Sequence, residues 1–193
     1  MARPKEFDPE VALEKATALF WAKGYFDTSI RDLVDETGVN YYGLYSTFED
    51  KRGLFLQALD LYQNSVTRTA LRELRGSGSL TTRVRRVLEV LLAEMQTESG
   101  SRGCLMANTA VELAPHDAEV AERVQQHLKL LRKEFRAALE RGKADGDCAL
   151  GLDVSALAEH LATTAYTLGM LKRAGCSQAY VNRHIDVVMS LLA

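Results

Sequence analysis

Apolar positions along this chain recur at helical spacing wherever they recur at all. From Leu80 they fall at Val84, Val87, Leu88, Leu91, Leu92 and Met95, the series of a helix with one buried face. Arg83, Arg85, Arg86 and Glu89 take other positions. Earlier, Asp8 caps a helix that begins at Pro9, turns Leu13, Ala16, Leu19 and Phe20 inward and stops at Gly24. Thr28 or Ser29 opens a short helix through Leu33 and Val34, with Ser29 and Asp32 as an imperfect capping box and Gly38 as its end. Asn40 caps the next segment. A longer pattern starts near Asp50, runs through Leu54, Phe55, Ala58, Leu59, Tyr62 and Val66, and dies in Gly76-Ser77-Gly78-Ser79.

The next break is Ser99 to Gly103, followed by a helix from Cys104 to Leu113 that Ala114-Pro115 ends. Asp117 starts another, with Val120, Val124, Leu128, Leu131, Phe135 and Leu139 on one face as far as Gly142. The loop Asp145 to Asp153 precedes two final helices, Val154 to Arg173 and Ser177 to Leu192. No strict alternation competes, so the chain reads as all-α with nine helices.

Composition narrows the class. With 193 residues, 47% apolar, 26% charged and only 3 prolines, the chain has the makings of an ordinary soluble core. No run approaches the roughly 18 apolar residues of a membrane span, since Leu161 to Leu171 is interrupted by three threonines. Met1 to Glu10 lacks an apolar core, so a cytoplasmic protein without a secretory signal is expected. Three cysteines, Cys104, Cys148 and Cys176, form no Cys-x-x-Cys or Cys/His cluster, so reduced thiols and no metal site or cofactor are expected. The four histidines are scattered, and no phosphate loop or Ser/His/Asp arrangement points to an enzyme.

Two short helices about a Gly-containing turn, Ser29 to Thr37 and Asn40 to Tyr45, have the dimensions of a helix-turn-helix. In such a unit the second helix enters the major groove, its exposed side chains meeting base edges while neighbours grip phosphates. Leu44 is the inward anchor. Tyr41, Tyr42 and Gly43 are left for the groove, where tyrosine can exchange hydrogen bonds and touch a thymine methyl. A plain helical hairpin has the same spacing, and charge does not decide: residues 1–53 hold 7 Lys/Arg against 10 Asp/Glu. Arg3 and Lys5 are either a minor-groove arm or a solvated terminus.

The stretch from Gly24 to Phe55 closely resembles the amino-terminal signature of TetR family transcription regulators, through Gly24, Thr28, Gly38-Val39, Leu44-Tyr45, Phe48, Lys51 and Leu54-Phe55. It departs at Tyr42, where the family often has glycine, and at Glu49, where proline is frequent. The resemblance implies a helix-turn-helix DNA-binding domain over residues 1–50, a ligand-binding and dimerisation domain over 51–193, and a DNA-binding repressor released from a palindromic double-stranded operator by a small-molecule effector. Ser29 to Thr37 would be the supporting helix and Asn40 to Tyr45 the recognition helix. Thr28, Tyr45 and Lys51 would contact phosphates, where a helix amino end also offers free N–H groups. A helical small-molecule carrier without DNA function is the alternative.

The resemblance also implies an effector chamber among the fourth to eighth helices. Polar residues at bundle positions mark its expected lining. On the helix from Val154 they are His160, Thr163 and Thr167, beside Tyr166; on the helix after Cys104 they are Asn108, Thr109 and Glu112. Met95, Leu105, Leu131 and His127 complete it, a mostly apolar wall with a few polar handles. The threonines could equally bond their own helix carbonyls, and the histidines could be packing residues. Arg102-Gly103-Cys104-Leu105 places a thiol at a helix start beside a cation, which favours thiolate, and resembles family members that sense electrophiles or oxidants through cysteine. The same tripeptide also suits close packing. Leu157, Leu161, Leu168, Leu171, Val181, Ile185, Val188 and Leu192 on the last two helices point to a homodimer paired as a four-helix bundle.

Overall fold

A computed structural model describes residues 7–97, 100–147 and 153–192. Among them are nine helices: α1 Pro9–Lys23, α2 Ile30–Thr37, α3 Tyr41–Phe48, a continuous α4 over 51–75, α5 Leu80–Glu94, α6 Leu105–Glu112, α7 Ala118–Ala144, α8 Val154–Arg173 and α9 Gln178–Ser190. A two-residue antiparallel ladder, β1 Gln96–Thr97 with β2 Gly100–Ser101, occupies the break between α5 and α6. The Arg3 and Lys5 arm and Cys148 lie outside the described residues.

Local chemistry sets the helix ends. Asp8 accepts from the Glu10 N–H, and Pro9 sits where a missing N–H costs nothing. The capping box of α2 is complete: the Asp32 N–H donates to the Ser29 hydroxyl, and the Asp32 carboxylate accepts from the Ser29 N–H. Gly38 then leaves α2 at φ +72, a left-handed conformation that glycine adopts without strain. Asn40 caps α3 through Gly43, and Asp50 caps α4 through Gly53.

Packing joins the two ends of the molecule along α4. Its first part lies against α1, where Phe20, Tyr25 and Phe55 form an edge-on aromatic cluster with two centroid separations of 5.0 Å. Midway, Gln63–Thr67 is a π turn, a widening of the helix that frequently marks functional positions. In the body, α7 packs along α8, α6 bridges α4 to both, and α9 lies on α5 and α8.

That packing corrects the expected pairing surface. Leu157, Leu161, Leu168, Val181, Ile185, Val188 and Leu192 are buried within the single chain, because α8 and α9 turn these stripes onto α5, α6 and α7. The large exposed apolar residues on the two helices and just past the second are Met170, Tyr180, Val187 and Leu191. None of the described helices is long and apolar enough to cross a membrane.

Candidate nucleic-acid interface and effector chamber

In the head, α3 buries Leu44 and Phe48 and turns its tyrosines out. Tyr42 is 84% exposed and Tyr41 53%. Tyr41 stands edge-on to Tyr45, 4.4 Å between centroids, and to Tyr42 at 5.9 Å, so the three rings form one aromatic ridge with Tyr41 and Tyr42 outermost and Tyr45 half-buried at its base. Asn40 and Ser29 are exposed at the starts of α3 and α2. An aromatic ridge flanked by two helix amino ends offers base-edge contacts in the middle and phosphate contacts at the sides.

Two expected contacts are corrected. Thr28 is 0% exposed and its hydroxyl donates to the Gly24 carbonyl at 2.6 Å, so it ties the α1–α2 turn together and cannot reach a phosphate. Gly43 faces inward more than outward: a Cβ there would stand 2.8 Å from Val39 and 3.2 Å from Phe7. Its smallness admits those neighbours. Lys51 is half-buried, with its ammonium 4.3 Å above the Tyr25 ring. Burial lowers its pKa, while Glu112 and Asp32 act to raise it.

The body holds a chain of buried polar groups that only partly matches the expected lining. His127 bonds Thr67 through Nε2 and the Tyr166 hydroxyl through Nδ1, each at 2.8 Å. Burial lowers its pKa to about 3, so it is neutral at ordinary pH. Tyr62 donates its hydroxyl to Cys104 Sγ at 3.4 Å, and burial raises its pKa well above the usual phenol range. Met95, Leu105, Thr109 and Leu131 are buried in the same core. Tyr62 and Thr67 were not singled out from sequence. Tyr62 read as one more apolar stripe residue, and Thr67 turns inward only at the end of the π turn.

Other expected lining residues lie elsewhere. His160 and Thr163 are exposed, and Thr163, Thr164 and Thr167 donate to carbonyls one turn back in α8. Hydroxyls committed to their own helix are poor ligand handles. Thr109 likewise bonds the Leu105 carbonyl. Glu112 faces the head, where it accepts the Phe26 N–H at 2.7 Å, and Asn108 donates to the Arg102 carbonyl at 3.0 Å. Both link elements, and both also line an open groove between α6, the α1–α2 turn and the end of α8.

The thiolate expected at Cys104 is also corrected. The residue is 3% exposed, and burial pushes its thiol up, outweighing the lowering by Tyr62 and the Ala107 and Met106 N–H groups. Arg102 does not assist, because its guanidinium lies over the Trp21 ring at 3.5 Å from the centroid. Cys176 is half-buried and free. Among the described residues no group of three or more His, Cys, Asp or Glu could hold a metal ion.

Known proteins agree with this arrangement. The profile of bacterial regulatory proteins of the tetR family matches residues 12–58, and that of the tetracyclin repressor-like C-terminal domain matches 81–188. An uncharacterized HTH-type transcriptional regulator of Bacillus subtilis, YezE, is 30% identical over the whole of both chains. The HTH-type transcriptional repressor ComR of Escherichia coli is 30% identical over 91% of this chain and 84% of its own. A cysteine mutant of the TetR family regulator CifR, solved with a 26-bp operator duplex, superposes with a TM-score of 0.84 at 29% identity over 98% of each chain. A whole-length relative, two matched profiles and a shared fold agree: the chain belongs to the tetR family of bacterial regulatory proteins, DNA-binding regulators of transcription.

Proposed function

We propose that this protein is a cytoplasmic homodimeric repressor that holds a palindromic operator through the Tyr41–Tyr42–Tyr45 ridge of each copy and lets go when an effector enters the body. The observation that carries this reading is the ridge itself. Tyr41 and Tyr42 are exposed, and Tyr45 half-buried beneath Tyr41, on the second helix of a helix-turn-helix whose Leu44 and Phe48 are packed inside. Residues 1–50 act as the reading head and 51–193 as the sensing and pairing body. Copies meet through α8 and α9, whose outward Met170, Tyr180, Val187 and Leu191 supply apolar contact. ComR is named a repressor and CifR was solved on operator DNA, which supports the same role here.

We infer that the effector enters around Tyr62, Cys104, His127 and Tyr166, where buried polar groups are linked by hydrogen bonds, with Met95, Leu105 and Leu131 as apolar wall. A mostly apolar molecule with one polar handle would exchange hydrogen bonds with His127 or Tyr166 and displace the π turn of α4, whose amino end carries the head. Cys104 enters as a wall residue rather than as an exposed thiolate. A coupling of about 1–3 kcal/mol would weaken operator binding roughly 5- to 150-fold.

The test is titration of duplexes from the gene's own promoter region with wild-type and Tyr41→Ala/Tyr42→Ala protein. Tight, salt-sensitive binding by the wild type and loss of at least tenfold in the variant are expected. Equal affinities would remove the ridge from the interface.

A further inference from the structure

The loop before α6 joins three parts of the molecule at one point. Trp21, near the end of α1, donates its indole N–H to the Gly103 carbonyl at 2.7 Å in buried surroundings. The Arg102 guanidinium covers the same indole. From the end of α8, Arg173 donates to the Arg102 carbonyl at 3.0 Å and reaches the Trp21 carbonyl at 3.5 Å. The loop lies so close to α8 that a Cβ on Gly169 would stand 2.7 Å from the Cys104 nitrogen, and one on Gly103 2.8 Å from the Gly169 carbonyl oxygen. On the inner side, Tyr62 meets Trp21 edge-on at 4.8 Å and bonds Cys104.

These contacts constrain the head by a route separate from α4. A buried indole N–H that loses its acceptor is costly, and a cation over the ring resists sliding. Therefore α1 cannot tilt against the Arg102–Cys104 loop without breaking both contacts. The loop in turn cannot leave α8, because the two glycines leave no gap and Arg173 holds the carbonyls on either side. Since α8 is one of the two pairing helices, the tilt of α1 on α8 is also the tilt of the head relative to the twofold axis.

We propose that Trp21, Arg102 and Arg173 are positioning residues that set the separation of the two reading helices in the dimer, by locking each head to its own pairing helix. The inference rests on the reading above, that copies pair through α8 and α9. It assigns a function to the only tryptophan in the chain and to an arginine that sequence spacing does not connect with the head.

The probe is a duplex selected by the wild-type protein from a random-sequence pool, with versions carrying one base pair more or fewer at the dyad. One base pair moves the half-sites about 3.4 Å apart along the axis and turns one against the other. A rigidly set dimer should therefore bind the altered duplexes about tenfold or more weakly, within the usual range of coupling. Trp21→Phe keeps an aromatic ring but removes the five-membered ring with its N–H; Arg173→Met removes the α8 donor. Both are expected to bind the parent duplex about five- to fiftyfold more weakly and to shrink the spacing penalty to about threefold or less. The dependence of affinity on salt should be unchanged, because no phosphate contact is lost. Sedimentation should show both variants dimeric, so that misfolding is not the cause. Dimeric variants that retain the wild-type spacing penalty overturn the proposal. So does a loss of affinity accompanied by a salt slope shallower by about one, which marks a direct phosphate contact. A wild type that is monomeric, or selects no duplex, overturns the underlying reading as well.

Discussion

The head and the body use the same residue type in opposite ways. Tyr41 and Tyr42 in α3 are exposed, with Tyr41 edge-on to both Tyr42 and Tyr45. In the body, Tyr62 is fully buried with its hydroxyl on Cys104, and Tyr166 has its hydroxyl on His127. A tyrosine in a core must satisfy its hydroxyl internally, since an unpaired buried polar group is expensive. On the outer ridge an internal partner is unnecessary, and the ring and hydroxyl stay available to an external surface. Stability should therefore be concentrated in one set of tyrosines and recognition in the other.

The sharpest way to break this contrast is to truncate one tyrosine from each set. Tyr62→Ala should lower the unfolding free energy by about 3–5 kcal/mol, the usual cost of removing a large aromatic from a core. Tyr42→Ala should change it by no more than about 0.5 kcal/mol, as exposed substitutions do, while weakening operator binding. Urea denaturation of both variants, followed by circular dichroism, measures the difference. A Tyr42→Ala protein that unfolds markedly earlier than wild type would show that the ridge belongs to the core after all.

Acid should act on the body through His127. Its pKa in the folded state is lowered to about 3, against roughly 6.5 in an unfolded chain. The folded state thus binds the proton less readily than the unfolded one. The stability due to neutral His127 is fully present above pH 6.5 and is lost as pH falls from there toward 3. At 1.36 kcal/mol per pH unit the loss between about pH 6.5 and 4.5 approaches 2–3 kcal/mol. Asp117, lowered to about 2 by its Arg52 hydrogen bond, loses its contribution mainly below the usual carboxylate range, so it leaves this window largely clear. Melting temperature followed across the window should fall in wild type and stay nearly flat in His127→Gln. Parallel curves would assign the acid sensitivity to other groups.

The cysteines provide a smaller contrast inside the body. Cys104 is buried with its thiol pushed up, whereas Cys176 is half-buried. Brief treatment of the folded protein with N-ethylmaleimide, followed by peptide mass mapping, should label Cys176 well before Cys104, with the order lost in denaturant. Early labelling of Cys104 would mean that the core around Tyr62 opens readily and would restore the thiol as a sensor.

Helix ends and faces were legible in the sequence because short-range groups set them. Ser29 with Asp32, Gly38, Asn40 and Asp117 act within three or four residues, and the stripe from Leu80 to Met95 repeats on one face. The environments of individual site residues were not. Arg102 looks like a partner for the adjacent Cys104 until Trp21, from another helix, claims its guanidinium. Thr28 looks free at the start of α2 until the fold of the turn brings the Gly24 carbonyl to it. The stripe on α8 looks unpaired until α7 is laid along it. The Arg102 and α8 misses are contacts between elements, which helical periodicity does not carry, and the Thr28 miss depends on how the turn after α1 folds back on itself.

Lys51 stands where the two regions meet, and it tests the contrast with the smallest effect. It lies in the first turn of α4, at the foot of the head, with its ammonium over Tyr25 and its pKa lowered by burial. If it reaches past that ring to a phosphate, Lys51→Ala removes one counterion-releasing contact, and the slope of log affinity against log salt becomes shallower by about one. The cation–π contact is worth roughly 0.5–1 kcal/mol at a partly exposed position, so the folded state should lose no more than that. A shallower slope with little change in unfolding places Lys51 with the ridge, as recognition. An unchanged slope with a measurable loss of stability places it with the packed interior, as a lid on the Phe20, Tyr25 and Phe55 cluster, and the phosphate role then passes to the helix amino ends at Ser29 and Asn40.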